Sequence, residues 1–458
     1  MIRFVYIVAA GAGLSLSSIA CHAQGPKPLA RGRSLLDNGI RVLPQPVPGA
    51  GWVTVVTSFP VGFVNDPKGR PQLAHLVEHL TCRCATESWG PEASFALLAQ
   101  KGDANAETLP GFMYLYAMAP PGDLDLALRV EMERLSSLKI TAESIRVEGP
   151  KCAAEVGFTE RAPRRMVGKF GLMALNQGWR YAGTRAIVKS GLETTPVDVA
   201  ARFRALLHPR SMTVVIAGDF RADQAGALIR RRLGEIRSPE VAAAVPDFRG
   251  MRKDKDATVV WDSAASAVCV AYPPPADPRD RLALTYWGLA LSQKLQSDPK
   301  LMALASMVES SNPLFPVGPL PFYVSATAKP GVDLRRLRPA FVDRVRAAIA
   351  IAPSENDLAM LRMMAAQDAH PPPLTRDLLK EQAGMYAAQM HMDTKRAIGA
   401  ALTQAAIDIS RREQTLGPDR AARLREIDSL TATRLGSLIH RSLSSERMTV
   451  TRLMPIAR

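Results

Sequence analysis

A chain of 458 residues with 47% hydrophobic content can fill more than one core, so about two domains are expected and wholesale disorder is excluded. The formal net charge of +15 raises nucleic acid as a partner, but the basic residues are scattered (Arg161, Arg164, Arg165 and Lys169, then Arg230–Arg232) with no interleaved aromatics. A basic but ordinary surface, without a nucleic-acid partner, is the reading.

In chain order, residues 1–23 read as an export signal. Arg3 precedes the apolar run FVYIVAAGAGLSL, and CHA ends on a small residue before Gln24. That run is too short to span a bilayer comfortably, and no later segment has the length and apolarity of a membrane helix. A periplasmic or secreted protein is expected. The alternative is a lipid anchor on Cys21, because SSIAC loosely resembles a lipoprotein box, although Ser18 stands where such boxes carry leucine.

The strand-like GWVTVVTSFPVGF comes next, followed by a turn at Asp66-Pro67 and then LAHLVEHLTCRC, residues 73–84. Leu73, Leu76, Val77 and Leu80 fall at helical spacing and form a buried stripe. His75, Glu78, His79 and Cys82 repeat that spacing on another face. Two histidines four apart on a helix project to one side and can share a metal ion. Zinc needs at least one more protein ligand and an open position for water, and a glutamate on a neighbouring element would supply it.

Further along, GFMYLYAMAP alternates like an edge strand, and RVEGPKCAAEVGF offers Glu148 and Glu155. Pro150 is expected to begin the second helix, leaving Glu148 at its margin and Glu155 inside as the better ligand. TPVDVAARFRALLHPRSMTVVIAG, from Thr195, resembles TATRLGSLIHRSLSSERMTVTRLM, from Thr431. Each is a helical pattern followed by a β-rich run beginning Met-Thr-Val, which suggests a duplicated unit. Between the units, residues 237–256 carry Pro, Gly and charge in place of periodic patterning. The expected organisation is a domain at 24–236, a linker at 237–256 and a similar domain at 257–458. The fold class is α+β, each domain a largely antiparallel sheet packed with helices.

These motifs together resemble the pitrilysin/insulinase family of zinc peptidases, the inverzincins, whose signature is His-x-x-Glu-His. The likeness extends to LLDNGIRVL, VGFVNDPKGRPQLAHLVEHL, GDANAETLPGF and FRALLHPRSMTVVIAGDF, and is clear from about Ser34 to Ile236. The family places its third ligand about 75–77 residues past the second histidine, and Glu155 lies 76 residues past His79. The resemblance implies half of a clamshell, with one Zn²⁺ held by His75, His79 and Glu155. It makes Glu78 the general base and Glu148 a supporting carboxylate. Asn105 and Ala106 would lie on the substrate side. In the second domain Lys294 would stand where family members often use arginine, and Phe322 or Tyr323 at the aromatic position, with Tyr323 taken as the substrate-side residue. The implied function is an exported zinc endopeptidase acting on peptides or unfolded polypeptides, paired with an identical or related chain. The alternative is a non-catalytic subunit that assembles with another family chain.

Cys82 shares a face with His79, and Cys152 shares one with Glu155. If those two residues meet at one metal, a disulfide from Cys152 to Cys82, or to Cys84, is permitted in an oxidising compartment. The other possibility is that the cysteines are free and buried.

Overall fold

The computed structural model describes residues 33–67, 70–159, 193–237, 256–261, 265–310, 321–417 and 420–455. The expected export signal, Cys21 and most of the expected linker at 237–256 lie outside the described residues.

In the first half, β1 (Ser34–Leu35), β2 (Arg41–Pro46) and β3 (Val53–Phe59) precede α1 (Leu73–Arg83) and α2 (Ala93–Lys101). Then come β4 (Asp103–Thr108), β5 (Met113–Ala119), α3 (Leu124–Ser136) and α4 (Ala142–Thr159), and later α5 (Pro196–Leu206), β6 (Thr213–Gly218) and α6 (Ala222–Leu233). The strands form one sheet in the order β1-β2-β6-β3-β5-β4, antiparallel except for the parallel β2–β6 pair. GFMYLYAMAP is therefore not the edge. It supplies β5, flanked by β3 and β4, and the edge is β4, whose DANAET alternates only two small alanines with polar residues and so gives a weak strand signal.

The second half holds β7 (Asp256–Trp261), β8 (Ala267–Tyr272), α7 (Pro278–Gln296), α8 (Pro299–Met302), β9 (Ala305–Ser310) and β10 (Phe322–Ala328). It continues through α9 (Leu334–Ala350), α10 (Glu355–Ala369), α11 (Arg376–Met390), α12 (Thr394–Leu416), α13 (Arg420–Asp428) and α14 (Ala432–Ser442) to β11 (Thr449–Pro455). Its sheet order, β7-β11-β8-β10-β9, repeats β2-β6-β3-β5-β4, including the one parallel pair. Moreover α14 and β11 each begin 236 residues after α5 and β6 (432 against 196, 449 against 213). Both helices start at a threonine whose hydroxyl accepts from the backbone N–H three residues on, Thr195 from Asp198 and Thr431 from Arg434. The architecture is α+β, with two antiparallel-rich sheets and their helices. Among the described residues no helix is long and apolar enough to cross a membrane.

Every residue of β3 is buried, because both faces of the first sheet are covered. On one face Val53, Val55 and Phe59 pack with Leu73, Leu76, Val77 and Leu80 of α1, the stripe expected from the sequence. On the other, Trp52, Val56 and Val215 pack with Leu402, Ala406 and Ile407 of α12, a helix from the second half of the chain. Polar contacts lock that helix down. The Trp52 indole donates to the Lys395 carbonyl at 2.7 Å, Ser58 meets Ser410, and the Gln414 amide donates to the Ser211 carbonyl at 2.9 Å.

Candidate metal centre

Helix α1 is buried on both faces, its apolar stripe against the sheet and its polar side against α4 and β4. Its start has no side-chain cap from the preceding residue, Gln72. Instead Asp66 Oδ1 accepts the Ala74 N–H at 2.7 Å, and burial pushes that carboxyl up to about 7.

The facing helix does not begin at Pro150, as the sequence suggested. It starts at Ala142 and continues through the proline, so Glu148 sits well inside it. A proline there removes one intrahelical hydrogen bond without ending the helix, because tertiary packing holds both turns in place. The two helices run antiparallel, with His75 level with Cys152 and His79 with Glu148.

The second histidine is gripped from both sides. His79 Nδ1 lies 3.1 Å from Glu148 Oε2, and its Nε2 lies 3.2 Å from Glu155 Oε2. His75 Nε2 lies 3.9 Å from the other Glu155 oxygen and 3.9 Å from Glu78. The rings stand edge to face with centroids 4.8 Å apart. Burial opposes charge on His79, but the hydrogen bonds to Glu148 and Glu155 outweigh it and lift the imidazole to about 9. Glu148 is buried, yet His79 and Lys151, whose Nζ is 2.7 Å away, hold its carboxyl below the usual range.

Glu78 Oε2, 3.9 Å from His75 Nε2, is also held from the sheet. The Thr108 hydroxyl of β4 donates to its Oε2 at 2.8 Å. Burial pushes Glu78 up to about 7, while the neighbouring His79 and Thr108 pull it down. A cleft of about 210 Å³ opens beside it, lined by Glu78, His79, Glu155, Asn105, Ala106, Glu107 and Tyr114 among others. Thr108 was not singled out in the sequence, although it closes the quoted GDANAET segment.

The donor set suits zinc: two neutral-capable imidazoles and a carboxylate that is half exposed and so leaves a wet side. Zinc bonds of about 2.0–2.1 Å in a tetrahedron put donors about 3.3 Å apart, and the observed spacings of 3.2 and 3.9 Å bracket that value. Donor atoms of His75, His79 and Cys152 also lie within 4.8 Å of one another.

Of the two possibilities for the cysteines, the structure has the second: no disulfide joins Cys152 to Cys82 or Cys84, and the four described cysteines are free and buried. Antiparallel packing explains this. Cys152 Sγ is engaged at 3.1 Å by Nδ1 of His75, seven residues before Cys82 on α1. Burial pushes the thiols of Cys82 and Cys152 up, Cys82 to about 12 and Cys152 well above the ordinary range. Lys294 and Tyr323 do not line the cleft. Lys294 Nζ pairs with Asp357 at 2.5 Å, and Tyr323 is buried on β10, opposite Ala271 of β8.

No family model matches the sequence. Curated relatives do: an uncharacterized zinc protease of Mycobacterium leprae is 24% identical over 210 residues, 44% of this chain and 46% of the relative. Zinc protease PqqE of Helicobacter pylori is 22% identical over 261 residues, 54% of this chain and 58% of the relative. The chain thus spans about half the length of the curated relatives it matches. Among solved structures, a putative M16-like peptidase from Alicyclobacillus acidocaldarius superposes with a TM-score of 0.65 at 16% identity, covering 92% of this chain and 97% of the other. A peptidase M16 inactive domain from Pseudomonas fluorescens gives 0.65 at 13% identity, covering 94% and 98%. Pitrilysin gives 0.63 at 15%, covering 94% of this chain but 46% of pitrilysin. In its fold, and in the zinc proteases that its sequence partly matches, the chain resembles the short, M16-like peptidases of the pitrilysin group.

Proposed function

We propose that the chain is an exported zinc-dependent endopeptidase that hydrolyses peptides or unfolded polypeptides. The observation that carries this reading is the approach of Glu155 to both imidazoles from 76 residues beyond His79, while Glu78 turns to Thr108. His75, His79 and Glu155 would hold one zinc ion. When bound, zinc acidifies a water and polarises the scissile carbonyl. Glu78, poised near neutrality at the wall of the cleft, takes the water's proton and passes it to the leaving amine. Glu148 fixes Nδ1 of His79 and so keeps Nε2 directed at the ligand site.

Substrate would lie along β4. Its outer edge, unpaired among the described residues, can accept an extended peptide as an added strand, with Asn105 and Ala106 lining the cleft. The match to about half of pitrilysin's length supports a second chain, identical or related, that completes the enclosure. The apolar run after Arg3 supports export to the periplasm or beyond; a mature N-terminus at Gln24 would test it, and one at a lipidated Cys21 would replace it.

A second reading, a non-catalytic assembly subunit, is favoured by the absence of Lys294 and Tyr323 from the cleft and by the likeness to an inactive domain. Metal analysis joined to a peptide-library digest separates the two. The proposed peptidase binds one zinc per chain, cleaves peptides as wild type, and keeps zinc but not cleavage as Glu78→Gln. Zinc binding with equal inertness of both proteins, alone and with related chains, would favour the subunit.

A further inference from the structure

Three side chains on one face of α4 answer the two histidines of α1. Glu148, Cys152 and Glu155 follow at steps of four and three residues, so they stack along the helix. Glu155 faces both Nε2 atoms, at 3.2 and 3.9 Å. The ring nitrogens that point away from it meet different groups: His79 Nδ1 meets the Glu148 carboxylate and His75 Nδ1 meets Cys152 Sγ, both at 3.1 Å.

We infer that Cys152 is the positioning residue for His75, setting that ring's tautomer and orientation through its sulfur without itself binding the metal. The inference rests on the zinc-site reading above. Two protonation patterns fit a thiol beside an imidazole nitrogen. If the thiol donates to Nδ1, the ring proton sits on Nε2, and His75 cannot ligate through the atom that faces Glu155. If Nδ1–H donates to sulfur, Nε2 presents a lone pair to the ligand site. Metal binding therefore selects the second pattern, with Cys152 as acceptor. Its sulfur lies on the Nδ1 side of the ring and leaves the Nε2 side to the carboxylates. Cys152 is 1% exposed and Ala153 beside it is fully buried, so the helix backbone fixes where the sulfur can stand.

The test is zinc affinity by competition with a chromophoric chelator, on full-length wild type, Cys152→Ala and Cys152→Ser, with circular dichroism to check folding. Loss of an outer partner of a metal-binding histidine typically weakens affinity 10–100-fold. That loss is expected for Cys152→Ala, with partial recovery in Cys152→Ser, whose hydroxyl can still accept. Unchanged affinity in a folded Cys152→Ala protein overturns the inference; if that variant does not fold, wild-type affinity in Cys152→Val, which fills the site but cannot accept a hydrogen bond, does so. Cobalt substitution supplies an independent readout. A sulfur-to-cobalt charge-transfer band in wild type, lost in Cys152→Ser, would make Cys152 a direct ligand and also overturn the inference. A wild-type protein that binds no zinc fails at the earlier step, the function itself.

Discussion

The Thr108 hydroxyl reaches from the sheet edge to the Glu78 carboxylate, 2.8 Å away, and so ties strand β4 to the acid between the two histidines. That bond favours the ionised form of Glu78 against the burial that disfavours it. Removing it in Thr108→Val should raise the Glu78 pKa further. Since the base acts only when ionised, the acid limb of the pH–rate profile moves to higher pH, and activity near pH 6 falls more than activity near pH 9. A limb that stays in place would show that another group governs it.

Glu78→Gln should lower peptide cleavage by about 10²–10⁴-fold, the usual worth of a positioned general base, with zinc content unchanged. Glu155→Ala should instead lose the metal. Glu148→Gln falls between them, since the amide oxygen can still accept from His79 Nδ1 but without charge. Metal analysis of the three purified variants checks the ranking.

Zinc uptake should release a proton. With its imidazole lifted to about 9, His79 is protonated at neutral pH in the absence of metal, and the proton must leave before Nε2 can ligate. Apparent affinity therefore rises with pH up to about 9, by at most about tenfold per pH unit for this one proton. Calorimetry in buffers of different ionisation enthalpy would count it.

Asp66 carries a stability signature. Its carboxyl titrates near 7 when folded, against 3.8 for the ordinary group, so between those values the folded chain holds more protons than the unfolded one. Stability must then fall as pH rises through that window, with a slope of no more than about 1.4 kcal/mol per pH unit from this group. Asp66→Asn keeps an oxygen for the Ala74 N–H and removes the slope. The difference between the two proteins in chemical denaturation should grow in the variant's favour from pH 4 to pH 7, then level off.

Leu402→Ala should cost about 2–5 kcal/mol, as for other fully buried leucines, although it lies far along the chain from the sheet it covers. Hydrogen exchange should report the damage in β3 and β6 of the first half. Exchange confined to the second half would contradict this packing.

Much of the site was legible because helical spacing is local arithmetic. The stripe Leu73-Leu76-Val77-Leu80 and the opposite row of His75, Glu78 and His79 needed no tertiary knowledge, and family spacing singled out Glu155. Other readings failed where local signals compete with packing. Pro150 marks a helix start in isolation, but α4 runs through it. Cys82 and Cys152 each share a face with a site residue, yet a shared face does not give equal height along the helix, and antiparallel packing separates them. The edge strand DANAET has too few apolar residues to announce itself. Nothing in the pattern of residues 394–416 says which of two sheets the helix will cover.

That last placement has a consequence for any attempt to divide the protein. A fragment ending near residue 236 would keep both histidines and Glu155 while baring Trp52, Val56 and Val215 to water, and so should aggregate or go in search of a substitute cover. Cut between residues 237 and 256, by contrast, the two pieces should stay clasped and migrate together, because α12 belongs to one of them by backbone and to the other by contact.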